Sequence, residues 1–595
     1  MSASSPSTRV VGLALALAAG ALGLVVACGS DPRDVQGDPL DPSSSSSGGF
    51  GGDASAQQKD LACSGDLTSV VDKNTGVVVT TCPGDQGCAA GACVPACDAA
   101  KASKGSIGCD YVVATPSFYP GITPPCFAVF LANNWQKPVK VQVSRAGQTY
   151  DVSSFGRIAT AGQPEASWPK VPAEGIPTGQ VAVLFMSSDP GSKNGENPLT
   201  CPVATAIPAG SAVGGTGRGQ AWHVTTDAPV TAYDILPYGG ASSFLPSAEL
   251  LLPTTAWGTN YYGIVPPRGT AGPQWGQVVA ASDGTTVQVL ANVPLPAGAN
   301  VNAAPKGATT TFTLNAGEYV QWQDSGDMSG TVLAADKPIA FVGGNGYDCY
   351  RSSTSKSGGC DSAHQQVFPV SALGSAYVGA AYLTRRKNNA PESVPYRLVA
   401  AVDGTNLTYD PPVTGAPIQV NAGQSFDFEV TGSFVVKSQD DKHPFHLGQV
   451  MGGCGVTGGS VSGSCLGDDE YVNMVPPAQY LSRYVFFTDP TYKTTNLVFV
   501  RSKVGGGYED VKLDCAGVLT GWRNIDAAGT YQQTEVDLVR DGKPNGTCNN
   551  GPHVAESKGA FGLMVWGLDE YASYAYPAGG NVAPINAVVV PAVPK

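Results

Sequence analysis

An internal repeat with a period of just over 100 residues constrains the fold of this chain more than any other feature. Pro253-Thr-Thr-Ala-Trp-Gly258-Thr-Asn-Tyr261 returns as Pro369-Val-Ser-Ala-Leu-Gly374-Ser-Ala-Tyr377, and more loosely as Pro476-Pro-Ala-Gln-Tyr-Leu481-Ser-Arg-Tyr484. The Pro-to-Tyr interval is eight residues in all three. Ala281-Ser-Asp-Gly-Thr285 is echoed by Ala401-Val-Asp-Gly-Thr405. Asn315-Ala-Gly317 is echoed by Asn421-Ala-Gly423 and loosely by Ala527-Ala528-Gly529. Each unit then closes with a turn and a strand, at Asp227-Ala-Pro-Val230, Asp336-Lys-Pro-Ile339 and Asp441-Lys-His-Pro-Phe445. Markers that recur in one order describe copies of a single supersecondary unit.

The unit is built from strands. From about residue 110 onward, short alternating apolar segments such as Val139-Lys-Val-Gln-Val143 are split by turn signals. Asp283-Gly284 and Asp403-Gly404 each lie between two such runs, as hairpin turns needing positive φ do; calcium ligation is the weaker account of these aspartates. The chain has 75 Gly and 46 Pro among 595 residues and is only 14% charged, which favours tight turns over long helices. About seven strands per unit predict an all-β fold of tandem antiparallel sandwich-like repeats of about 105 residues. A propeller-like arrangement of four-stranded blades is the alternative.

Fifteen cysteines punctuate the sequence. Setting Cys28 aside leaves an even fourteen, as in a fully bridged protein of an oxidising compartment. Cys63, Cys82, Cys88, Cys93, Cys97 and Cys109 crowd into residues 61–109, a module too small to hold itself together by its core. Their spacing lacks paired zinc knuckles, so disulfides are expected, with fifteen connectivities open. Cys349 and Cys360 are eleven residues apart, as are Cys454 and Cys465 at the same repeat position, so each pair is expected to form one local bridge. Cys126 with Cys201 and Cys515 with Cys548 follow by elimination.

Cys28 has another role. Arg9 precedes an apolar run over residues 10–27 that ends Val25-Val26-Ala27-Cys28, which resembles the bacterial lipobox. Residues 1–28 are therefore expected to be an export signal, with Cys28 acylated and inserted in a lipid bilayer. Gly29 rather than Asp favours the outer membrane by the same resemblance. Residues 29–60 are a Ser/Gly/Pro tether with little to bury. The cysteine-rich module follows at 61–109, a first β-rich unit at 110–218, the repeated region at 219–580, and a C-terminal strand and tail at 581–595.

Asp227-Ala-Pro-Val-Thr-Ala-Tyr233, Leu252-Pro-Thr-Thr-Ala-Trp-Gly-Thr-Asn-Tyr261, Phe561-Gly-Leu-Met-Val-Trp-Gly567 and Ser573-Tyr-Ala-Tyr-Pro-Ala-Gly579 together resemble the N-terminal domain of the IgGFc-binding protein family. The resemblance covers residues 219–580 and implies a binding role. It is not extended to an immunoglobulin ligand.

No G-x-S-x-G or H-E-x-x-H occurs. His443 and His446 are three apart in a strand-like stretch and point to opposite faces, so no shared metal is expected, and no cofactor is. Gly214-Gly-Thr-Gly217-Arg-Gly219 lacks the ending of a phosphate loop and is expected to be flexible. Asp468-Asp469 read as adjacent acids in a loop. Of the tryptophans that could form a carbohydrate platform (Trp222, Trp257, Trp322, Trp522, Trp566), Trp257, Trp322 and Trp566 sit at repeat markers and are expected in the core. Trp135 and Trp522 are the expected exposed aromatics. A net charge of -13 without a basic cluster excludes general nucleic-acid binding. The chain is thus expected to be no enzyme but a surface binding or adhesion protein for an extracellular protein or glycan. An exported hydrolase of polysaccharide or protein is the runner-up.

Overall fold

The computed structural model describes residues 60–240, 245–269, 272–323, 326–462 and 465–594. Residues 1–59, and with them Cys28, the export segment and the tether, lie outside the described residues. No helix among the described residues is long and apolar enough to cross a membrane.

The second unit shows how the repeat folds. Its strands are Gly258–Gly263, Gln274–Ala280, Thr285–Leu290, Thr309–Leu314, Glu318–Gln323, the long Thr331–Asp348 and Asp361–Gln366. The first half of the long strand is flanked by Gly258–Gly263 and Thr285–Leu290. Its second half is flanked by Gln274–Ala280 and Asp361–Gln366. One strand is therefore the spine of two sheets. The changeover falls at Asp336-Lys-Pro338, where proline has no N–H to give a ladder and the Asp336 carboxylate instead accepts from Thr286 N at 2.8 Å. The sequence marker expected to be a turn is here the crossing point of a continuous strand.

The same plan occurs four times. In the first unit the crossing strand is Trp222–Leu236, in the fourth Gly551–Asp569. In the third it is broken into Phe434–Ser438 and Phe445–Met451, and the Asp441-Lys-His-Pro444 marker does form a loop there. The two resulting four-stranded sheets, one with Phe434 and the other with Tyr396, pack face to face, these rings meeting edge-on at 4.9 Å. The sheets are antiparallel and do not close into a propeller. The first unit begins at the strand Ile107–Val113 and ends with Ser247–Leu251, so the sequence boundary at 218 falls just before its crossing strand.

The repeat markers are hydrogen-bonding devices. Asp283 Oδ1 accepts from Ala316 N at 3.0 Å, while Asn315 Oδ1 accepts from Gly284 N at 3.3 Å. In the third unit Asp403 Oδ1 takes Ala422 N and Asn421 Oδ1 takes Gly404 N, both at 3.0 Å. Two turns thus clamp each other, and Gly284 (φ 62°) and Gly404 (φ 69°) supply the left-handed backbone. The tyrosine of the first marker receives the backbone N–H three residues earlier: Gly258 to Tyr261, Gly374 to Tyr377, Leu481 to Tyr484.

Contacts between units are cyclic. The last strands of the units, Ser247–Leu251, Asp361–Gln366, Glu470–Asn473 and Ala572–Pro577, each pack against the next, and the fourth packs against the first. They are not joined to one another by ladders. A Cβ on Gly108, Gly258 or Gly374 would lie 2.3, 2.6 and 2.5 Å from the Cβ of Pro253, Pro369 and Pro476 respectively, so each of these glycines lets the next unit's proline approach. The circle is closed where Ser106 N donates to Gly580 O at 2.8 Å and Gly105 bridges Asn581. Beyond that bridge the C-terminal segment has no strand among its described residues. It runs across the third and second units through Ile585 N to Ser371 O and Val590 N to Asn260 Oδ1.

The cysteine-rich module is a three-stranded sheet, a hairpin (Gln86–Ala89 with Ala92–Pro95) and a helix, Ala96–Ser103. Its bridges are Cys63–Cys88, Cys82–Cys93 and Cys97–Cys109, the last fixing the helix to the first strand of the first unit. Cys126–Cys201, Cys349–Cys360, Cys454–Cys465 and Cys515–Cys548 complete the set.

Candidate functional site

The centre of the cycle is polar. A strand with both faces covered is ordinarily apolar, yet the four inner strands carry Ser247, Glu249, Asp361, His364, Gln365, Gln366, Glu470, Asn473 and Ser573, all buried. Lacking ladders, these strands are tied by side chains. His364 N donates to Ser247 Oγ at 3.1 Å, Asn473 Nδ2 to Gln366 O at 2.9 Å, and Ser573 Oγ to Asp468 O at 2.9 Å. Two further bonds cross the ring, from Ser247 Oγ to Glu470 Oε1 at 3.1 Å and from Ser573 N to Asp361 Oδ2 at 3.1 Å.

Acids concentrate in this centre. Asp234, on the first crossing strand, sits directly opposite Glu249 across the ladder. Asp234 Oδ1 lies 2.8 Å from His364 Nε2 of the second unit. One ligand atom from each of the three falls within 4.8 Å of the others. Burial drives the Asp234 carboxyl well above the usual carboxylate range; burial and then Asp234 do the same to Glu249; burial pushes the His364 imidazole down. Asp361, Asp468 and Asp469 form a second group under the Cys349–Cys360 and Cys454–Cys465 loops. Burial raises all three, Asp468 to about 6. Each keeps a buried carboxylate oxygen without a hydrogen bond. No carboxylate of either group is more than 3% exposed, so none meets a substrate from solvent in this conformation.

Several sequence expectations change here. Asp468 and Asp469 lie in a loop, as expected, but that loop is buried and leads directly into Glu470–Asn473. Trp135, expected outside, is 1% exposed, and its indole N–H donates to Gly84 O of the cysteine-rich module. Trp522 is half-buried beneath Arg501, whose guanidinium lies 4.1 Å from its ring centre and 5.0 Å from that of Tyr508. Trp222, Trp257, Trp322 and Trp566 are buried. The glycine-rich stretch expected to be flexible runs into a strand, Gly217–Gln220, paired with Glu318–Gln323. His443 pairs with Asp440 in the loop, whereas His446 is buried against the Tyr471 hydroxyl. Asp234, Glu249 and His364 were not singled out by sequence. The signal available was polar residues in the strand immediately before each marker proline.

The accessible concave surface of interest lies elsewhere. A groove of about 560 Å³ opens between the cysteine-rich module, at Asp66, and the fourth unit, at Arg483, Tyr508, Glu509, Lys512 and Lys558.

These features define a disulfide-stapled β-repeat protein whose units close on themselves around a buried polar centre. Residues 247–567 match the family model described as IgGFc binding protein, more than half of the sequence, and the chain belongs to that family. It is a family of binding proteins and not of enzymes. The IgGFc-binding protein of Homo sapiens is 26% identical over 338 residues, which is 55% of this chain and 6% of the human protein, so the chain spans a small part of that relative's length. No solved structure matches. The matched segment starts at the inner strand of the first unit and stops in the last crossing strand, leaving most of the first unit outside it although its strand plan is the same.

Proposed function

We propose that this chain is an exported, lipid-anchored binding protein of the bacterial surface that captures an extracellular protein through the groove between its cysteine-rich module and its fourth unit. The observation that carries the binding site is the composition of that groove. Three cations (Arg483, Lys512, Lys558) and four anions (Asp66, Glu509, Asp510, Glu556) line it together with the one aromatic ring of Tyr508, a composition suited to a charged protein surface rather than to the stacking platform a glycan needs. The lipobox-like end at Cys28 supports the anchor, and the bridging of all fourteen other cysteines supports export. The hydrolase alternative loses ground at the centre of the ring, where the clustered acids are buried.

Lys512→Glu with Lys558→Glu, both at exposed positions, should abolish capture of the partner that the wild-type ectodomain retains from extracellular extracts, with melting temperature unchanged. Capture unaffected by this double variant would remove the groove from the proposal, and binding to immobilised glycans alone would replace the protein partner. Palmitate incorporation that persists in Cys28→Ala would remove the anchor.

A further inference from the structure

Asp234 and Glu249 face each other in register with no solvent, and as carboxylates they would cost stability unless something positive lay between them. Asp234 Oδ2 and Glu249 Oε2 are both buried with no N–H or O–H donor, and the hydrogen bond open to the pair is one between the two carboxyls, which needs a proton shared by them. His364 is the only basic side chain ion-paired to either carboxylate among the described residues. With a neutral imidazole and both carboxyls ionised the triad would carry two negative charges, which burial opposes unless a cation or a proton joins them.

The repeat itself shows that this pair is not needed to build the fold. At the same place in the ladder the second unit has Gly343 opposite Gln365, the third Gln449 opposite Val472, and the fourth Val565 opposite Tyr576. Three units make the same strand pair without an acid. Only the first unit places two, and the second unit turns a histidine onto them.

We propose that Asp234, Glu249 and His364 bind a divalent transition-metal ion of the zinc type, which ties the first unit to the second at the centre of the ring. One imidazole and two carboxylates are a common zinc donor set, and their atoms already lie within 4.8 Å of one another. The ion cancels the pair's charge and takes the place of a proton between the two carboxyls. The 2.8 Å between Asp234 Oδ1 and His364 Nε2 is a hydrogen-bond distance; tetrahedral zinc, with ligands at about 2.0–2.1 Å, holds such atoms about 3.3 Å apart, so loading exchanges this hydrogen bond for metal bonds after a shift of about half an ångström. The competing state is a single proton shared by the two carboxyls.

The test is the metal content of the full chain, exported from cells grown with zinc and purified without chelators. The expected result is one equivalent of zinc per chain, lost in the isosteric double variant Asp234→Asn with Glu249→Gln. Cobalt grown in its place should give the visible absorption of a low-coordinate site. Wild-type protein with only traces of any transition metal, and with a melting temperature unmoved by added zinc, would overturn the proposal and leave the shared proton. The wild-type count decides even where the variant does not fold. A wild-type count matched by a variant that keeps its full equivalent would place the metal at another site and overturn the assignment equally.

Discussion

Single buried carboxyls set how this protein responds to pH. Asp489 is 1% exposed, its Oδ1 held by Thr491, and burial with Glu165 nearby lifts it to about 7. Its folded pKa exceeds its unfolded one, so its contribution to stability is complete below about pH 4 and lost as pH rises through about 7. His446 works in the opposite sense. Burial lowers it to about 3, so its contribution falls away on acidification below about pH 6.5. Comparing wild type with Asp489→Asn isolates the aspartate. The variant's amide oxygen can still accept from Thr491, and it should be more stable than wild type by of order 1 kcal/mol or more at about pH 8, with little difference at about pH 4. Urea melts at the two pH values measure this, and an equal difference at both would show that Asp489 does not titrate as described.

Among elements, the difference lies between loops that close locally and those that close over distance. Cys349–Cys360 and Cys454–Cys465 each span 11 residues, and Cys126–Cys201 spans 75. On loop-closure entropy alone the long bridge is worth about 4.5 kcal/mol and a short one about 3 kcal/mol. Replacing Cys126 and Cys201 with alanine should therefore lower stability more than replacing Cys349 and Cys360, as read by denaturant midpoints under non-reducing conditions. An equal or reversed order would mean that the first unit is held by its packing instead. The same contrast governs what was legible in the sequence. Asp283, Gly284, Asn315 and their counterparts could be read because each marker is completed by a neighbour in its own unit. The first unit reads as β-rich at 110–218 but falls outside the repeated region in sequence, because it keeps only the end of its marker, Gly108-Cys-Asp-Tyr111, without the leading proline. Asp234, Glu249 and His364 were not legible as a group: they come from three strands, 130 residues apart at the extremes, and meet only through the cyclic packing. Trp135 was misjudged for a similar reason, because its cover comes from the cysteine-rich module, which local alternation does not foresee.

The whole molecule is finished by its last residues. The tail donates Ile585 N to Ser371 O and Asn586 Nδ2 to Val370 O at 2.8 Å, and its Ala592 carbonyl receives Thr309 Oγ1 at 2.7 Å. Removing residues 585–595 should cost about 2–4 kcal/mol, since hydrogen bonds of this kind contribute about 1 kcal/mol each before the cost of ordering the tail. Scanning calorimetry would register a lower melting temperature with the β content intact. No shift would mean that the tail rests on the ring without holding it. The join between Ser106 and Gly580 also bears on how such a chain is made. In an open array of repeats each copy can settle against its predecessor as it emerges. Here the first copy waits for the fourth: until Ala572–Pro577 arrives, one flank of Ser247–Leu251 has no neighbour, and the acids beside it stay hydrated. On the export proposed above, passage from the N-terminus would deliver an unfinished interior, and folding would be completed only after nearly the whole polypeptide had crossed.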